Sequence, residues 1–176
     1  MNKIVSGAVS GFAATAPMTA AMIVMHRMLP PTQRYLLPPR KVTMRFAKAA
    51  GVKQEMSEPQ RKAATIAAHF GYGAAMGGIY STFADKVPAP RVATGIGWGL
   101  VVWAASYLGL LPGLGLHESA ADHPAERNWL MVIAHVIWGA TLGALTHALP
   151  IKIPDAKTSN PPTTTWKAAE SSGVSM

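Results

Sequence analysis

Within the apolar stretches of this chain of 176 residues, the readily ionisable side chains are His69, His135 and His147, with His26 at the end of the first stretch. An ionisable group inside lipid is costly and marks a functional position by default. Two of the rings are placed alike. His69 follows Arg61 by eight residues and precedes Gly73 and Gly77 by four and eight, and His135 stands in the same relation to Arg127, Gly139 and Gly143. The surrounding segments, AHFGYGAAMG from Ala68 and AHVIWGATLG from Ala134, align without gaps at a shift of 66 residues, with Tyr72 and Trp138 in equivalent places. Duplication of a helical hairpin leaves this kind of echo, and it sets His69 and His135 at similar depth as an intramembrane polar site, with Tyr72 and Trp138 either flanking the pair or facing lipid.

Three chemistries fit such a pair. Each ring can satisfy itself by a hydrogen bond across a helix contact. A ring with an ordinary pKa of about 6.5 can instead relay protons or guide a small solute. Two imidazoles on facing helices can also ligate haem iron or a metal, with nearby glycine making room for a flat macrocycle. The segment from His117 to Glu126 enters the last apolar stretch on the same side, and its His117, Glu118, Asp122 and His123 could cap the pair.

Patterns that name a reaction are missing. His117-Glu118 is not followed by a second His at the spacing of a zinc hydrolase, and there is no GxSxG, Walker loop, dinucleotide fingerprint or paired intramembrane carboxylate. The chain has no cysteine, which excludes disulfides, thiolate metal sites and thiol catalysis. The expectation is therefore no catalytic residue, no cofactor and no metal, with haem or metal held by the His pair as the last of the three readings.

The elements that must position the pair are four apolar runs, at about 4–25, 63–84, 92–116 and 129–151, none of which contains Asp, Glu, Lys or Arg. Each is long enough for a bilayer core of about 30 Å, which takes roughly 20 helical residues. A soluble amphipathic helix would carry charge along its whole length, whereas these runs keep theirs at the ends. Every run holds a Gly-x-x-x-Gly pair: Gly7 and Gly11, Gly73 and Gly77, Gly95 and Gly99, Gly139 and Gly143. Such pairs let helix backbones touch in lipid. The fold class expected is all-α, an integral membrane four-helix bundle over residues 1–151. Ala14-Thr15-Ala16 has the form of a signal cleavage site, but Pro17 follows it and the apolar run continues to Met25. A retained first helix with a kink at Pro17 is expected.

Between the first two runs, the polar segment 26–62 holds nine of the sixteen Lys and Arg residues. Pro39 suits a first helical turn, Val42, Phe46 and Ala49 share a face, and Lys41, Arg45 and Lys48 form a basic stripe beside it. This predicts a short amphipathic helix at the membrane surface, with Arg40, Lys41, Arg45 and Lys48 on anionic headgroups, or the same helix packed on the bundle. The formal net charge of +8 concentrates beside the apolar runs, which favours lipid over nucleic acid as partner. Ten Lys and Arg fall on the side of the first and third loops and six on the other, yet the third loop is acidic, so orientation stays open. Residues 152–176 read as a disordered polar tail.

LLPPRKVT from Leu36, AHFGYGAAMGGIY from Ala68, WAASYLGLLPGLGL from Trp103 and ERNWLMVIAHVIWGATLG from Glu126 together resemble the YagU-like family of bacterial inner-membrane proteins over about Lys3 to Leu149. The resemblance implies a multi-pass inner-membrane protein of poorly defined role and carries over no active site. The function expected is a non-enzymatic structural or accessory component of that membrane, in which close small-residue contacts also allow a homo-oligomer or a membrane protein partner. A small proton-linked transporter or channel using His69 and His135 is the alternative, and haem or metal binding by the same pair the second.

Overall fold

A computed structural model of the protein describes residues 2–31, 34, 37–115 and 125–148. Among these the architecture is all helical, with no strand. Helix α1 runs Lys3–Met28, α2 Pro38–Ala49, α3 Glu58–Phe83, α4 Arg91–Gly113 and α5 Ala125–Ala148. Three of them, α1, α4 and α5, are long and apolar enough to cross a membrane. Their outward faces expose Val5, Phe12, Val24, Val101 and Ile133, a composition compatible with lipid contact. The expected fourth span corresponds to α3, which matches α1 in length at 26 residues. It begins with Glu58, Arg61 and Lys62 and is otherwise rich in Ala and Gly, so length alone does not place it with the other three.

Local signals account for the helix ends. The Asn2 side chain accepts from the Ile4 N–H at 3.1 Å to start α1, and the Ser57 N–H donates to Gln60 Oε1 at 2.7 Å at the head of α3. Pro17 lies inside an α1 that remains one helix. In α4, the α-helical segment Arg91–Ala104 passes into a π-helical segment, Ala105–Leu110, in which the Leu111 N–H reaches the Ser106 carbonyl. Pro112 follows one residue later and has no N–H to give, so the local register slips by one.

The glycine pairs build two antiparallel hairpins. Gly7 and Gly11 of α1 meet Gly77 and Gly73 of α3, and Gly95 and Gly99 of α4 lie against Gly139 and the His135 carbonyl of α5. A Cβ at Gly77 would stand 2.7 Å from the Gly11 Cα and 2.9 Å from its nitrogen, so only glycine permits this approach. The hairpins join through α1 and α5, while α3 and α4 have little backbone contact. The core at the junction comprises Ala14, Met18, Met22, Leu130, Met131, Ala134, Trp138 and Leu142. At one end of the bundle, Asp85 pairs with Lys3 at 2.7 Å and with Arg91 at 2.5 Å, linking the start of α1 to the start of α4.

Helix α2 closes the opposite end. Pro38 and Met44 are buried on the bundle, Arg40 pairs with Glu58 at 2.6 Å, and Arg45 donates to the Gly115 carbonyl beyond α4. Arg40 and Arg45, both expected on lipid headgroups, are thus engaged within the chain, while Lys48 is exposed.

Candidate functional site: a cavity between two hairpins

Where α3 and α4 stand apart, the bundle encloses a cavity of about 430 Å³. All five helices contribute to it. Met18 and Met22 come from α1, Val42 and Phe46 from α2, His69 and Tyr72 from α3, Ser106 and Tyr107 from α4, and Met131, His135 and Trp138 from α5. Among the described residues none of its lining side chains is Asp, Glu, Lys or Arg. Its size falls in the range of about 300–1,000 Å³ typical of small-molecule sites.

The two histidines line the same space. They are not equivalent. His135 is 6% exposed, and its Nδ1 lies 2.7 Å from the Met131 carbonyl, one turn earlier on α5. A carbonyl only accepts, so Nδ1 carries the proton and Nε2 of the neutral ring holds the lone pair. The Tyr107 ring meets the imidazole edge-on at 6.0 Å. His69 is only partly buried as a residue, yet its Nε2 is enclosed without a hydrogen-bond partner. The position corresponding to Met131 is Thr65, whose hydroxyl donates to the Arg61 carbonyl at 2.7 Å.

Tyr72 and Trp138, matched in the sequence echo, both reach from one hairpin to the other. The Trp138 Nε1–H donates to the Gly11 carbonyl at 3.2 Å and is fully enclosed. The Tyr72 hydroxyl meets the Ser106 hydroxyl at 2.8 Å from a ring 40% exposed at the rim. Further along the same seam, the Trp98 Nε1–H donates to the Met76 carbonyl at 3.1 Å and the Tyr80 hydroxyl to the Arg91 carbonyl at 3.1 Å.

Of the residues expected from sequence to form the site, His69, His135, Tyr72 and Trp138 therefore border one cavity. The proposed capping residues His117, Glu118, Asp122 and His123 lie outside the described residues, as does the tail from 152, and nothing is described of the His147 side chain. Ser106, Tyr107 and the apolar face of α2 were not anticipated at the site. The nearest signal for the first two is Gly109 and Pro112, which mark a helix that cannot run regularly. Among the described residues no group of three or more His, Cys, Asp or Glu converges as a metal site.

A family model described as a protein of unknown function, DUF1440, matches residues 18–144, more than half of the chain. The chain belongs to the DUF1440 family. The matched region takes in α2, α3, α4 and most of α5, and with them every lining residue of the cavity after Thr15. No curated protein matches the chain, and no solved structure does.

Proposed function

We propose that this DUF1440 member is a four-span protein of the bacterial inner membrane, of the YagU-like kind, that acts without catalysis by holding a small apolar molecule between its hairpins. The single observation behind the binding role is the cavity: about 430 Å³ of largely apolar space whose polar lining side chains, among the described residues, are two imidazoles, an indole and a few hydroxyls. Pockets of this make-up fix a ligand by apolar contact and orient it with a few polar groups. The antiparallel fit of α3 along α1, residue for residue at their glycines, supports α3 as the fourth span despite its weaker apolar content. The protein's surroundings are then acyl chains, with the exposed Lys48 near anionic headgroups and further copies of the chain or another membrane protein as neighbours.

The experiment is native mass spectrometry of the protein released from lipid nanodiscs. A small apolar molecule should accompany the native chain and be lost from Val42→Trp, which fills the cavity from α2 while leaving the glycine crossings intact. A native chain that carries nothing, and whose melting temperature is unchanged by lipid extract, overturns the reading.

One observation favours a second reading. The unpartnered His69 Nε2 beside His135 suits a relay for protons or a small solute. In that case proteoliposome flux should exist and should fall when both histidines become Gln.

A further inference from the structure

From the arrangement of polar atoms in the cavity, we propose that its occupant is a neutral lipid whose head is a hydroxyl group, reaching the cavity sideways from the bilayer between α3 and α4. This rests on the binding role proposed above and specifies its ligand.

Three observations carry it. First, the head must be uncharged, because no lining side chain among the described residues is a permanent cation or anion that could pair with it. A phosphate or carboxylate brought into apolar surroundings without a partner would lose its hydration uncompensated. Second, the head must donate a hydrogen bond. The bond to the Met131 carbonyl commits His135 Nδ1 as donor, so neutral His135 offers only the Nε2 lone pair to the cavity. A hydroxyl fits that lone pair. An ester or a ketone supplies only acceptors and would leave His135 unanswered. Third, the rim facing outward is apolar. Phe46, Leu110 and Leu114 line the cavity and are each more than half exposed, and Tyr72, also lining it, is 40% exposed. Exposed apolar side chains flanking an opening in a membrane helix bundle admit a hydrocarbon chain more readily than a solute from water.

The test uses the native chain in phosphatidylcholine nanodiscs and three probes with one diazirine-bearing sixteen-carbon chain: the alcohol, its phosphate monoester and the headless hydrocarbon. The alcohol should label cavity residues such as Met18 and Met131 saturably, at least ten-fold more efficiently than either of the others. His135→Phe should reduce alcohol labelling about ten-fold, to the level of the hydrocarbon, as expected for one lost hydrogen bond. His135→Gln, whose amide can donate to the Met131 carbonyl and still present an oxygen, should keep most of it. If the phosphate or the hydrocarbon labels the cavity as well as the alcohol, the cavity binds apolar molecules but the assignment of a hydroxyl head is wrong. If none of the probes labels it saturably, the binding role itself fails.

Discussion

The seam between α1 and α5 and the seam between α3 and α4 occupy corresponding places in an echoed pair of hairpins, yet one is shut and the other is open. Across the first, Trp138 reaches the backbone of Gly11, a residue with no side chain to keep the ring away. Across the second, the matched residue is the shorter Tyr72, which stops at a hydroxyl presented by Ser106. Aromatic side chains span this seam at three levels, Tyr72, Trp98 and Tyr80, where α1 and α5 pack directly through the core side chains. Opening one seam of a near-symmetric bundle makes an interior without weakening the crossings that hold each hairpin together. The same difference separates the histidines: His135 is enclosed beside the shut seam and tied to its own helix, while His69 borders the open one with a nitrogen to spare.

The most severe way to break this contrast is Gly11→Leu. Gly11 sits at the α1/α3 crossing and also supplies the carbonyl that Trp138 uses, so a side chain there forces two neighbours apart. A loss of about 3 kcal/mol or more is expected, read as failure to accumulate in membranes. Gly71→Ala on α3, with nothing within 4 Å of the added carbon, should instead be tolerated, with a gain of up to about 1 kcal/mol from helix propensity. Equal damage from both would mean that the glycines do not mark the crossings.

The matched aromatic pair gives a finer comparison. Trp138→Phe should cost about 1–2 kcal/mol, since its donor lies in enclosed surroundings, whereas Tyr72→Phe at the exposed rim should cost less than about 1 kcal/mol. Thermal unfolding followed by tryptophan fluorescence in detergent checks the order, and a larger loss at Tyr72 would reverse the assignment of shut and open seams.

The smallest effect concerns Asp85. Its carboxyl is held below the ordinary range, first by the bond from Lys3 and then by that from Arg91. A carboxyl with a lowered pKa in the folded state contributes stability above its unfolded pKa and loses it as pH falls through the folded value. Unfolding midpoints measured from neutral to acid pH should therefore show a slope that Asp85→Asn flattens. Because the groups are exposed, the difference should stay below about 1 kcal/mol. An unchanged slope would remove the clamp from the account.

Much of this arrangement was legible in the sequence. The glycine spacing and the absence of charge within the apolar runs marked out long helices, and the echo singled out His69 and His135, which line one cavity. What could not be read was which glycine pair meets which, because the spacing of four is the same in every run and pairing depends on backbone shape. Composition alone also leaves α3 short of the other long helices, since alanine and glycine contribute little to hydropathy even where close packing uses them best. The π-helical turn escaped for a different reason: Pro112 announces an irregularity, but the backbone can answer by kinking or by slipping, and only the second presents Ser106 and Tyr107 together. The amphipathic character of α2 was evident, while its position was undecided, since the same apolar face suits lipid or the mouth of a cavity.

Asp85 holds two basic partners at one extremity, whereas the far extremity is bridged by the arginines of a single twelve-residue helix. The hollow sits at the latched extremity, with Pro38, Val42 and Phe46 of that helix forming part of its wall. Trimming or enlarging those three side chains therefore changes how bulky a guest fits without touching the rivet at Asp85.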